Sequence, residues 1–470
     1  MAYAAGMFHR AISQNLAQLR RVPRLAGAHR QVTIFSMMSF LFGILVAGGT
    51  YAVPAKQSPY HAVEQLARVL VLVENHYVQP VDRTKILEGA IKGMVAELDP
   101  HSAYLPPKEY DEFRNDTEGR FVGIGVEVDA RDGLITVIKP IEGSPAEHAG
   151  LRPGDQVIAI DGWSTQGKPL DHVVRRIRGE RGTSLRLHIR RPGVDKPLEV
   201  LIVRGEVHVR SVIGKRLDGD VGYVNIKQFQ RGTHAEFLEV LGNLRLAKDA
   251  PLEGIILDLR TNPGGLVHES ALVADELLDG GIIFSTRARG RVLDEVTASS
   301  GGAASELPLA ILVNELTASA AELVAGAVQD HDRGLVVGAK TFGKGSVQSI
   351  VELPDGAALK LTTTLYYTPR GRTIQAQGIA PGIVVRQPGS GDGLPITREQ
   401  DIEGHLPSPD ERARPSGKPT ATTTEIVVPR DVPTNPVGRG DLALSVAYQV
   451  LVSDVIPQRK RRPRSQLPSP

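Results

Sequence analysis

From residue 222 onward the chain alternates short apolar runs with helical stretches, and this alternation constrains the fold more than any other feature. The runs 223–226, 254–259, 309–313 and 334–337 are mostly apolar, as strands of a buried sheet require. Between them, 234–247, 269–278 and 320–329 read as helices. A strand–helix–strand order implies an α/β core with right-handed crossovers. A hairpin follows at 347–352 and 358–367, turning at Pro354, Asp355 and Gly356.

Upstream the pattern differs. Residues 57–118 read as helical: Val63, Leu66, Val69, Leu70 and Val73 recur at helical spacing, 86–98 repeats the theme, and Asp99-Pro100 stops it. The character changes at Gly119. Strands are expected at 121–129 and 134–138, then a short helix after Ser144, a strand at 156–160, a helix at 170–177 and a strand at 184–190. Together they make a unit of about 85 residues, an ordinary domain size. Residues 387–440 are rich in Pro, Gly, Thr and Ser and read as a flexible linker. Asp441 is placed to cap a last short helix over 441–452, and a basic run, 459–464, ends the chain as a solvated tail.

At 470 residues the chain exceeds what one core usually supports, so several folded units are expected. The first 33 residues hold Arg10, Arg20, Arg21, Arg24 and Arg30 and no acidic residue; residues 34–53 then carry no charge at all. About 20 apolar residues just cross a bilayer's hydrocarbon core, with the arginines on the cytoplasmic side. The run therefore reads as a transmembrane anchor or as a signal peptide cut near Ala52 or Ala55, with the rest of the chain outside the cytoplasm. A net charge of +2 is too small to argue for a nucleic-acid partner, and an aromatic content of 4% speaks against base-stacking platforms. The absence of cysteine excludes thiol nucleophiles and Cys-based zinc sites.

Three segments at strand ends carry chemistry: Asp258-Leu-Arg-Thr-Asn-Pro-Gly-Gly265, Asn314-Glu-Leu-Thr-Ala-Ser319-Ala-Ala-Glu322, and Gly338-Ala-Lys-Thr-Phe-Gly-Lys344-Gly-Ser-Val-Gln348. Active sites of open α/β sheets gather beyond the carboxyl ends of strands, so the three should converge. Ser319 falls where a strand passes into a helix, beside free backbone N–H groups of the kind an oxyanion needs. The competing reading of Ser319 is a plain helix cap. None of the 13 histidines has a serine-protease setting, and there is no Gly-x-Ser-x-Gly elbow. Lys344, framed by Gly343 and Gly345, is the alternative base: a desolvated lysine loses its proton more readily and can accept one from a hydroxyl. Gln348 is placed to orient the amine. The Gly338–Lys344 spacing also approaches a phosphate-binding loop, but Gly345 stands where magnesium would need Ser or Thr, and a strand follows where a helix would be required.

In order and spacing, these segments resemble the carboxyl-terminal processing proteases, also called tail-specific proteases, over about residues 57–390. The resemblance implies a mixed α/β protease core with crotonase- or ClpP-like βαβ character, an inserted β-rich PDZ domain and an N-terminal helical segment. It implies these boundaries: leader and anchor 1–56, helical region 57–118, PDZ domain 119–205, serine protease core 206–390, linker and tail 391–470. By position Ser319 is the nucleophile, Lys344 the general base, Gln348 its partner, and the Gly265 and Ala320 amides the oxyanion donors. The chain departs from many members in having Glu315-Leu316 rather than two glycines ahead of the small-residue run. In the PDZ-like unit, Gly123, Ile124, Gly125 and Val126 match the loop that captures a C-terminal carboxylate. Leu170, Val173 and Val174 would line an apolar groove, and Arg178 would relay its occupancy. The expected partners are proteins or peptides with free, apolar C-termini, the inner membrane through 34–53, and optionally further copies in a homo-oligomer; no cofactor or metal is implied. The rival of another class is a catalytically silent, membrane-tethered scaffold that binds C-terminal tails.

Overall fold

The structure, a computed structural model, describes residues 60–131, 133–386, 396–409, 424–427 and 440–457. The apolar run 34–53 and the basic tail 459–464 lie outside the described residues, as does most of the stretch read as linker. Among the described residues no helix is long and apolar enough to cross a membrane. They fall into two compact units, one ending at Ile86 and the other beginning at Leu87. In the first, the expected helix is present as His61–His76.

The second unit is built around a seven-stranded sheet in the order β1 (Val212–Arg216), β2 (Val221–Ile226), β3 (Gly254–Asp258), β4 (Leu309–Val313), β5 (Leu335–Gly338), β6 (Ile383–Arg386) and β7 (Thr424–Val427). Only β1 runs antiparallel to its neighbour. The continuous apolar runs have a simple cause: β3 and β4 are buried along their whole lengths. Ile255, Leu257, Ile311 and Val313 face one layer, packing with Phe237, Val273 and Val324 of helices α1 (Thr233–Leu246), α2 (Val267–Leu277) and α3 (Ala320–Asp330). The alternate residues Ile256, Ala310 and Leu312 face the other layer, covered by Leu444, Ala447, Tyr448 and Leu451 at the end of the chain.

That cover is helix α4 (Leu442–Val450), capped as expected by Asp441, whose carboxylate accepts the Leu444 N–H at 3.0 Å. Asp441 does more than cap. Arg260 donates to both of its oxygens at 2.7 Å and, on its other side, to Asp258 at the end of β3. The guanidinium thus ties the last helix to the mouth of the sheet.

A second, five-stranded sheet contains the expected hairpin as Ser346–Glu352 and Ala358–Tyr367, the hairpin Gly281–Ala288 and Arg291–Ala298, and the short strand Ala103–Leu105. Ala103–Leu105 pairs with Lys360–Ala358, so the Asp99-Pro100 turn that ends the helical region is carried to this sheet. The PDZ unit has its own core around Ile124, Val137, Ile160, Val173 and Leu187. Its expected first strand is divided at Ile124-Gly125: Arg120–Gly123 pairs with Gly205–His208, while Val126–Arg131 becomes the outer strand of a separate sheet. Within the stretch read as linker, residues 396–409 pack on the core, with Glu399 and Ser408 wholly buried. Composition concealed this, because the contact is made through polar side chains rather than an apolar run.

Replacing Asp441 with Ala removes a helix cap and leaves Arg260 with one carboxylate instead of two. We expect a loss of about 2 kcal/mol in denaturant unfolding of the full chain. Hydrogen bonds from Arg260 and the Leu444 N–H outweigh the burial that would raise it and hold the Asp441 carboxyl below its usual range. This contribution is present above the unfolded-state value of about 3.9 and lost on further acidification.

Candidate active site

The three chemistry-bearing segments converge beyond the carboxyl ends of β3, β4 and β5, and Thr317 joins them. Its hydroxyl donates to the Leu259 carbonyl at 2.8 Å, and its own carbonyl accepts the Phe342 N–H at 3.0 Å. Beside it the Ala318 N–H reaches the Asn262 carbonyl at 2.9 Å, and Asn314 accepts the Thr261 N–H at 2.8 Å. Thr317 and Asn262 are completely buried, so these bonds are made where no water competes for them.

The glycine pair is shaped from below by Asn262, which donates to the Ile226 carbonyl and accepts the Gly264 N–H. Gly264 and Gly265 hold φ of 100° and 126°, outside the range of ordinary side chains. A Cβ on Gly264 would lie 2.8 Å from the Ser319 Cβ, and one on Gly265 would lie 2.0 Å from the Phe229 carbonyl oxygen. These absent side chains let the loop lie against Ser319. The N–H groups of Gly265 and Ala320, expected to serve an oxyanion, make no hydrogen bond to another described residue.

Ser319 itself ends the strand-to-helix turn with φ 54° and ψ −119°. For a residue with a side chain this conformation costs on the order of 1–3 kcal/mol. Glu322, one helical turn on, holds it. This carboxylate is wholly buried. One oxygen accepts the Ser319 N–H at 2.7 Å and the Lys344 N–H at 2.9 Å; the other accepts the Thr341 hydroxyl at 2.5 Å and the Gly343 N–H at 2.8 Å. The backbones of Ser319 and Lys344 therefore meet on a single atom. Burial pushes the Glu322 carboxyl up to about 7, against the pull of those four donors.

The Lys344 side chain is part-buried, and its pKa is lowered by burial first and by the like charge of Lys360 second, while Glu399, Asp99 and Glu322 oppose. Its Nζ forms no hydrogen bond or ion pair with another described residue, so no bond joins it to the Ser319 hydroxyl or to Gln348. The turn is tight for the reason its glycines suggest: a Cβ on Gly345 would fall 2.3 Å from the Gln375 nitrogen. Gln348 lies in the following strand, its amide nitrogen donating to the hydroxyls of Ser346 and Thr362.

In the PDZ unit Gly125 turns with φ 73°, and its carbonyl accepts both the Ile141 N–H and the Ser144 hydroxyl at 2.9 Å. The loop Gly123–Val126 so leads into an edge strand, Val126–Arg131, with the helix Leu170–Ile177 in the same unit. Leu170 and Val174 are partly exposed, whereas Val173 is fully buried in the core. Arg178 is exposed at the helix end. The carbonyls there, of Arg176 and Ile177, are instead bound by Arg204.

The sequence pattern assigned Glu322, Thr317, Gln375 and Glu399 no role in the site, and Asp99 only that of ending a helix. Glu322 had a readable signal, since Ser-x-x-Glu at a helix start is the capping-box spacing. The others act across long sequence separations that no local pattern reports.

Comparison with known proteins matches residues 220–385 to Peptidase family S41, residues 136–191 to a PDZ domain, and residues 47–108 to the N-terminal domain of the activating protease CtpB. The chain is 38% identical over 435 residues to a carboxy-terminal-processing protease of Bartonella bacilliformis, covering 91% of this chain and 96% of that one. It is 35% identical over 358 residues to the carboxy-terminal processing protease CtpB of Bacillus subtilis, covering 74% and 73%. Among solved structures it is similar to the photosystem II D1 C-terminal processing protease, at 30% identity, a TM-score of 0.43, and coverage of 68% of this chain and 86% of that one.

Changing Glu322 to Gln keeps its size but turns a donor toward backbone N–H groups. At least one amide then loses its acceptor, at a cost of about 1–3 kcal/mol. Denaturant midpoints should fall accordingly, and turnover of a peptide substrate should drop at least tenfold.

Proposed function

The chain belongs to Peptidase family S41, among the serine peptidases named carboxy-terminal-processing proteases, and from that premise we propose that it cleaves protein tails with a Ser319–Lys344 dyad after docking them on its PDZ domain. One observation carries this reading: a single oxygen of the buried Glu322 receives the backbone N–H of both residues, which fixes the serine turn and the lysine turn to each other.

In this mechanism neutral Lys344 Nζ takes the Ser319 proton as Oγ attacks the scissile carbonyl carbon. The carbonyl oxygen becomes an oxyanion and receives the Gly265 and Ala320 N–H groups, each such donor lowering the barrier by about 3 kcal/mol. The C–N bond then breaks, and the leaving amine takes the proton from Lys344. Neutral again, Lys344 Nζ takes a proton from water as the water oxygen attacks the acyl carbon, and it passes that proton to Ser319 Oγ as the ester C–O bond breaks. Burial favours the uncharged lysine, and Gln348 orients it.

The edge strand Val126–Arg131 has no partner on its outer side within its sheet, which suits addition of an extended peptide, and the Gly123–Val126 loop suits its carboxylate. The arginine-rich residues before 34 and the uncharged run 34–53 support an extracytoplasmic site, held at or released from the inner membrane.

Cleavage of a quenched, unstructured peptide with an apolar free C-terminus tests the reading. Ser319→Ala and Lys344→Ala should each abolish turnover while leaving the thermal melt in place; turnover persisting in either overturns the dyad. Amidating the peptide's C-terminus should raise KM with little change in kcat. Because Lys344 must be neutral, kcat/KM should rise with pH through its lowered pKa. Lys360→Gln removes a repelling charge and should move that limb to higher pH.

A further inference from the structure

The reading above gives Gln348 the task of orienting Lys344, and an amide does this only if it shows the amine the right end. Its nitrogen is a donor and its oxygen an acceptor. To accept a hydrogen bond from Lys344, the oxygen must be left free. The structure contains a device that leaves it free, and the device begins outside the peptidase core.

The turn after the helical region places Asp99 in a buried position, 5% exposed. Its carboxylate accepts the N–H groups of His101 and Ser102 at 2.9 Å, the Ser102 hydroxyl at 2.7 Å and the Thr362 hydroxyl at 3.1 Å. These bonds outweigh the burial that would raise its pKa and keep it ionised, so it accepts and does not donate. The single Thr362 proton is therefore committed to Asp99. What remains on Thr362 is a lone pair, and the Gln348 nitrogen donates to it at 3.3 Å. The second hydrogen of that nitrogen goes to the Ser346 hydroxyl at 3.1 Å. Both amide hydrogens are thus engaged on this side, and the oxygen has no partner among the described residues. Lys344 Nζ likewise has none.

The same turn reaches the other flank of the lysine. His101 Nε2 lies 2.8 Å from the buried Glu399, whose carboxylate accepts the Gln375 amide at 2.8 Å; the Gln375 oxygen in turn accepts the Gly345 N–H at 3.0 Å. Residues 99–102 therefore brace both the strand paired with that of Gln348 and, through Glu399 and Gln375, the turn bearing Lys344.

We propose that Asp99 is a positioning residue for peptide hydrolysis: acting through the Thr362 hydroxyl, it turns the Gln348 amide so that its oxygen, and not its nitrogen, is presented to Lys344. This rests on Lys344 serving as the base. An asparagine at 99 both donates and accepts, so it would no longer set the direction of the Thr362 proton. A valine at 362 breaks the chain, and a serine there preserves it.

The test uses the full chain and the quenched peptide with an apolar C-terminus. Asp99→Asn and Thr362→Val should each lower kcat about tenfold with KM within about twofold, and Thr362→Ser should restore most of kcat. In a Gln348→Ala background Thr362→Val should cost nothing further. Unchanged kcat in Thr362→Val, or the same loss with and without Gln348, overturns the relay. If Gln348→Ala is too slow to time, the side-chain amide resonances of Gln348 decide: they should shift in Asp99→Asn and Thr362→Val but not in Thr362→Ser, and a signal indifferent to all three sinks the proposal. Turnover surviving in Ser319→Ala would instead sink the dyad, so the two failures are separable.

Discussion

The site depends on one buried carboxylate. Glu322 has no exposed surface and four donors, three of them backbone N–H groups from two distant segments. Burying a charge is costly unless it is fully hydrogen-bonded; here the four donors offset only part of that cost, burial still raising the carboxyl, while they close the serine turn onto the lysine turn. The strained φ of Ser319 persists because its N–H is held from within the helix that follows. Thr317 and the Gly264-Gly265 loop complete a frame whose members are each fixed by two segments or more.

Much of this was legible in the sequence. The sheet was visible because β3 and β4 are buried on both faces and so read as unbroken apolar runs. The three site segments were visible because glycines, small residues and a Ser-x-x-Glu spacing leave local marks. What stayed hidden is non-local. Nothing near Asp99 indicates Thr362, more than 260 residues away, and nothing in 396–409 announces Glu399 as a buried acceptor. Likewise the strand expected over 121–129 reads as continuous, because a change of pairing partner at Gly125 alters no side-chain pattern. The hydrogen bond between the Ser319 hydroxyl and Lys344 that the spacing invites is not made; the segments meet through their backbones.

The peptidase core is also less self-contained than its sequence limits suggest. Residues 103–105 pair with the hairpin strand, and His101 braces the lysine turn through Glu399 and Gln375. Residues 396–409 supply the acceptor for Gln375. Helix α4 covers the far face of the sheet. Each lies outside the expected core of 206–390, so that stretch expressed by itself lacks parts of its own site.

The Arg260 clamp carries a last implication. Here the final helix buries Leu444, Ala447, Tyr448 and Leu451 and is bolted at its start to the strand that leads into the glycine loop. Clipping the molecule ahead of Asp441 would strip Ile256, Ala310 and Leu312 of their cover and free one side of Arg260. Removing the helix would thus bare one face of the sheet and loosen the strand end that leads into the site.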